Sequence, residues 1–190
     1  MKRRNFLLLA ACGAASLLTS CGLPLGEIVQ VEELLRAPTL SGDYGALQTA
    51  LNSWLDESAQ LKYPMQGELL SPFLLQDLDG DGQQDAAVLY TTAQTSNVCI
   101  AFLRRNAAGE WKVVQSIEGL ADTVDNVGLA HLQDGSAAQL LVGYLSSQGD
   151  SYLAVYSYEN GQVTAILEQS YEKYLVEDIT GGGNQDLILM

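Results

Sequence analysis

Leu74-Leu75-Gln76-Asp77-Leu78-Asp79-Gly80-Asp81-Gly82-Gln83-Gln84-Asp85 is the stretch that decides the fold. It returns without a gap as Leu175-Val176-Glu177-Asp178-Ile179-Thr180-Gly181-Gly182-Gly183-Asn184-Gln185-Asp186. The leucine, the first aspartate, two glycines, a glutamine and the last aspartate are identical. Between the two, Leu129-Ala130-His131-Leu132-Gln133-Asp134-Gly135-Ser136-Ala137-Ala138-Gln139 reads as the same element with a shortened loop. With Asp85, Gln139 and Asp186 as equivalents, the copies lie 54 and 47 residues apart. A repeat of that period marks supersecondary units that bury their faces on one another, and three or four strands per period give the dimensions of a propeller blade.

The flanking sequence supplies those strands. Ala86 to Thr91, Val98 to Leu103, Glu110 to Gln115, Leu140 to Tyr144, Tyr152 to Tyr158 and Gln162 to Glu168 are short apolar or alternating runs, and none contains proline. Asn106-Ala107-Ala108-Gly109 and Asn160-Gly161 are turn signals between neighbouring runs. Upstream, Tyr44, Leu47, Leu51, Trp54 and Leu55 recur at helical spacing after Ser41-Gly42-Asp43, which predicts one amphipathic helix ending near Ser58. Its aromatic residues are expected in the core. The predicted fold is mainly β: a partial β-propeller of about two to two-and-a-half blades, preceded by a signal peptide, a tether and one helix.

The loop itself carries the chemistry. Asp77, Asp79, Asp81 and Asp85 stand at positions one, three, five and nine, and Gly80 and Gly82 let the backbone curl. Alternating carboxylates in a tight turn converge, and four of them repel one another without a counter-ion. Oxygen ligands with no nitrogen or sulfur favour Ca²⁺. An EF-hand needs a bidentate glutamate at position twelve, where this chain has Val88. Solvated carboxylates on a simple surface turn are the plain alternative.

The D-x-D-x-D-G-x-x-D loop leading into a strand resembles the FG-GAP or VCBS repeats, the calcium-bearing blades of integrin alpha-chain propellers and many bacterial surface proteins. The resemblance covers about Leu69 to Met190. It implies one structural calcium site, with Asp77, Asp79, Asp81 and Asp85 as side-chain ligands and the Gln83 carbonyl as a backbone ligand. In the third copy Thr180 and Gly182 replace the second and third aspartates, and the middle copy keeps only Asp134. Those two loops are expected to hold their shape without metal.

The N-terminus reads as an address. Lys2-Arg3-Arg4-Asn5 precedes an apolar run from Phe6 to Leu18, too short for a stable span. Leu18-Thr19-Ser20-Cys21 then resembles the bacterial lipobox, which implies diacylglycerol on Cys21 and anchoring on the extracytoplasmic face of a bacterial cell membrane. An ordinary secretory signal with a chance cysteine is the alternative, and Arg3-Arg4-Asn5-Phe6-Leu7 partly resembles a twin-arginine signal. The segments are therefore residues 1–20 as signal peptide, 21–40 as tether, 41–66 as a helical segment and 67–190 as the repeat region, expected to continue in a longer chain. Cys12 leaves with the signal and Cys21 carries lipid, so Cys99 is left as a buried, inert thiol.

Composition narrows the function. The 190 residues carry a formal net charge of −14, with Cys 3 and His 1. Loss of the basic cluster Lys2, Arg3 and Arg4 leaves six basic residues against 23 acidic ones, a net charge of −17. Such a surface repels nucleic acid. The single histidine, His131, lies in the degenerate loop with no nucleophile motif beside it, which makes it a structural or surface residue. The expected function is non-catalytic binding or scaffolding at the cell envelope, with an unknown envelope protein or glycan as partner. A cell-surface hydrolase of glycans or peptides using paired carboxylates is the alternative.

Overall fold

The computed structural model describes residues 42–135, 137–159 and 161–190. The predicted signal peptide, Cys21 and the tether lie outside them. The described chain is mainly β, with one helix and three antiparallel sheets, none of which closes on itself.

Helix α1 (Asp43–Trp54) comes first. The first sheet holds β1 (Gln60–Leu61), β2 (Phe73–Gln76), β3 (Asp85–Thr91), β4 (Cys99–Arg105) and β5 (Trp111–Glu118). Strands β1 and β2 share one edge of β3, opposite its two ends, and β4 and β5 follow on the other side. The second sheet is a plain meander of β6 (Thr123–Ala130), β7 (Gln139–Leu145), β8 (Ser151–Glu159) and β9 (Gln162–Ser170). The third is the hairpin of β10 (Tyr174–Glu177) and β11 (Asp186–Leu189). Every predicted strand is present, extended by one to three residues at most ends.

Burial shows why the central runs are apolar throughout rather than alternating. In β3, Ala86, Val88 and Tyr90 join Leu47 and Leu51 of α1 in one core cluster, while Ala87 and Leu89 face the opposite way into another. Strand β4 divides likewise, with Cys99, Ala101 and Leu103 on the helix side and Ile100 and Phe102 on the other. The second cluster is shared with Leu140, Val142 and Tyr144 of β7 and with Ala154, Tyr156 and Tyr158 of β8. The reverse faces of those strands, Leu141, Leu153 and Val155, pack against Val176, Leu187 and Leu189 of the third sheet. The order is therefore helix, first sheet, second sheet, third sheet. Strands covered on both faces need continuous apolar sequence. The outer strands β5 and β9 are mixed or polar.

The helix departs from expectation at its ends. Leu47 and Leu51 are buried, but Tyr44 and Trp54 are 42% and 48% exposed. Their rings overhang the sheet and meet Phe73 and Tyr90 edge-on. The helix also ends at Trp54 rather than near Ser58.

Candidate metal centre

The three loops occupy one structural position. Each joins two consecutive antiparallel strands of one sheet: β2 to β3, β6 to β7 and β10 to β11. The closing cross-strand pairs are Gln76 with Asp85, Ala130 with Gln139 and Glu177 with Asp186. A side-chain oxygen of the last residue then accepts a backbone N–H from seven residues back. Asp85 takes Leu78 at 3.1 Å, Gln139 takes Leu132 at 2.7 Å and Asp186 takes Ile179 at 3.0 Å.

This register corrects the middle loop, which is not shortened. All three loops have the same length between their closing pairs, so His131 stands at the position of Asp77, and Asp134 at that of Gly80 rather than of a motif aspartate. His131 is exposed, and its backbone N–H and carbonyl bond the side-chain and main-chain groups of Gln185. Asn184 in turn donates to Asp134 at 2.6 Å. The second and third loops are thus tied to each other.

The first aspartate shapes its loop. Asp77 Oδ1 accepts from the N–H groups of Gly80 and Asp81, and Oδ2 accepts from Gly82. Asp178 repeats this set with Gly181, Gly182 and Gly183. The curl requires positive φ at Gly82 (85°) and Gly183 (93°). No atom lies within 4 Å of where a Cβ would sit at either, so the glycine serves conformation, not clearance. The third loop therefore has the same backbone device with fewer carboxylates.

Asp77, Asp79 and Asp85 come together, one carboxylate oxygen of each lying within 4.8 Å of the other two. An all-oxygen set of three carboxylates suits a hard divalent cation. Asp81, expected as a fourth ligand, turns elsewhere: its carboxylate meets Arg104 of β4 at 3.4 Å and accepts the Gln83 N–H at 2.7 Å. Gln83 Nε2 also reaches Asp81, at 3.3 Å. An arginine in the facing strand gives Asp81 a counter-charge that loop spacing does not reveal. Asp85 is the electrostatic centre of the cluster. Burial, and then the charges of Asp79 and Asp81, push its carboxyl up to about 6, against the opposing pull of the Leu78 N–H. Such a group holds its charge at a cost that a bound cation relieves.

Cys99 is buried, and that burial raises its thiol above the ordinary range, as suits an inert core residue. Among the described residues no helix is long and apolar enough to cross a membrane. The chain matches no protein-family model, and no curated protein is significantly similar to it.

Proposed function

We propose that this chain is a lipid-anchored, extracytoplasmic bacterial protein whose sheets are successive blades of a calcium-stabilised FG-GAP/VCBS-type propeller. It acts as a non-catalytic binding or scaffold protein at the cell envelope. The observation that carries the reading is the convergence of Asp77, Asp79 and Asp85 in a loop whose fold recurs at the same place in three sheets. The face-to-face order of the first two sheets supports the blade interpretation. The lipobox at Leu18 to Cys21 supports the anchor. On this reading Ca²⁺ stiffens the start of one blade and leaves the outer surfaces for a protein or glycan partner.

Calcium titration by calorimetry, with thermal unfolding in calcium and in chelator, tests the metal. Calcium at a hundred times its Kd should stabilise the fold by about 3 kcal/mol. Identical unfolding curves would overturn the assignment. Mass spectrometry of the mature N-terminus tests the anchor, since a diacylated Cys21 is expected and an unmodified one would reject it. Hydrolysis of a glycan or peptide panel by the purified protein would replace the binding role with the hydrolase alternative.

A further inference from the structure

Tyr158 lies in β8, in the second sheet, and is only 2% exposed. Its ring stacks on Phe102 of β4, with centroids 5.9 Å apart and 25° between planes. Leu78, the residue between Asp77 and Asp79, belongs to the same buried cluster. Strand alternation sets Asp85 on the Ala87 and Leu89 face of β3, and Ala87 pairs with Phe102, so the Tyr158 ring packs on the face that Asp85 shares. Its hydroxyl is buried and has no hydrogen-bond partner among the described residues. The neighbouring phenols of Tyr144 and Tyr156, by contrast, bond each other at 3.1 Å.

The charges that act on the Tyr158 hydroxyl are those of the loop aspartates and of Arg104 in β4. Burial and, after it, the charge of Asp85 push the phenol up to about 12, with Asp79 and Asp81 adding to the rise and Arg104 opposing it. The group stays a neutral hydroxyl at physiological pH, able both to donate and to accept. Leaving such a group unpaired in a core is unfavourable, and native cores resolve it with a partner or an ordered water. Three carboxylates also leave a calcium ion several positions for water.

We propose that Tyr158 is the second sheet's member of the cation site: its hydroxyl bonds a water held on the ion bound by Asp77, Asp79 and Asp85. The ion then ties two sheets together rather than one loop to itself. This rests on the cation reading above, and the test separates the two. Terbium and calcium are titrated into wild-type protein, Tyr158→Phe and Asp79→Ala, with sensitised terbium emission and calorimetry as readouts. Wild type should bind terbium with tyrosine-sensitised emission that calcium displaces. Tyr158→Phe removes a hydroxyl with no partner among the described residues, so its Tm in chelator should match wild type. It should bind calcium about tenfold more weakly, the worth of one good hydrogen bond, and lose most of the sensitised emission. Asp79→Ala should bind neither ion.

Absence of binding to wild type overturns the cation reading, and this proposal with it. Wild-type binding with unchanged affinity and emission in Tyr158→Phe overturns the role of Tyr158 alone. Should Tyr158→Phe fail to fold, the wild type still decides: terbium bound without sensitised emission overturns the role of Tyr158.

Discussion

Replacing Asp85 with asparagine separates the two demands on this side chain. The carboxylate is 3% exposed, and its titration lies near 6 instead of 3.8. A raised carboxyl binds its proton more tightly in the folded chain than in the unfolded one. In the cation-free protein, stability therefore falls as pH rises from about 3.8 to about 6, and the full cost stands above that. A difference of about two pH units is worth about 3 kcal/mol. Asparagine keeps the shape and an oxygen for the Leu78 N–H but carries no charge. The second loop already works this way, with Gln139 accepting from Leu132. Asp85→Asn should thus stabilise the cation-free protein near neutral pH by about 2–3 kcal/mol, or roughly 5–10 °C in Tm for a domain of this size. The gain should shrink as pH falls through 6 and be nearly gone around pH 4. The variant should also lose most of the calcium-induced rise. Scanning calorimetry of both proteins, in chelator and in calcium at each pH, supplies the comparison. A variant less stable than wild type in chelator near neutral pH would refute the electrostatic account of Asp85. An undiminished calcium response would remove Asp85 from the cation site.

Asp178→Ala deletes the acceptor of three backbone N–H groups in the third loop. Amide exchange at Gly181, Gly182 and Gly183 should quicken about tenfold, the loss of about one hydrogen bond's net worth, with calcium affinity unaltered. Gly119→Ala would set a Cβ 2.5 Å from the ring of Tyr144, which is fully buried. Chemical denaturation should show a loss of about 1–3 kcal/mol, the usual cost of overpacking. Cys99 should resist a disulfide thiol reagent in the native protein and react at once in denaturant, and rapid native labelling would contradict its burial.

The parts of the fold legible in sequence were those written in local pattern. The strands β3, β4, β7 and β8 are apolar on both faces because sheets cover both sides, so their runs stand out. Strand β6 was hidden because it carries Asp125, Asn126 and Gly128. Those polar groups have distant partners: Asp125 accepts from Gln66, and Asn126 from Tyr174. A break in pairing between Val124 and Asn126 further blurs its alternation. Strand β2 is short and lies inside the repeated motif itself. In the candidate metal centre, the spacing singled out the loop, and Asp77, Asp79 and Asp85 lie close together. It could not reveal that Arg104, 23 residues downstream, meets Asp81, or that Tyr158 of another sheet stacks on Phe102 of β4. The middle loop looks shortened in sequence because Asp134 resembles a motif aspartate, whereas the pairing of Ala130 with Gln139 gives it the full length.

The matching of the Asp77 and Asp178 loops means that shape and charge are inherited separately. The mould is cast by the first and last aspartates and the glycines, which both loops share, and the loops differ in charge at the second and third aspartate positions. A Cβ at Gly182 would meet Thr180 Oγ1 at an ordinary 3.5 Å, on a backbone that tolerates any residue. Two substitutions, Thr180→Asp and Gly182→Asp, would therefore give the third loop the first loop's carboxylates without refolding it. A lineage built on such moulds can gain or shed ion dependence one sheet at a time, with the architecture left untouched.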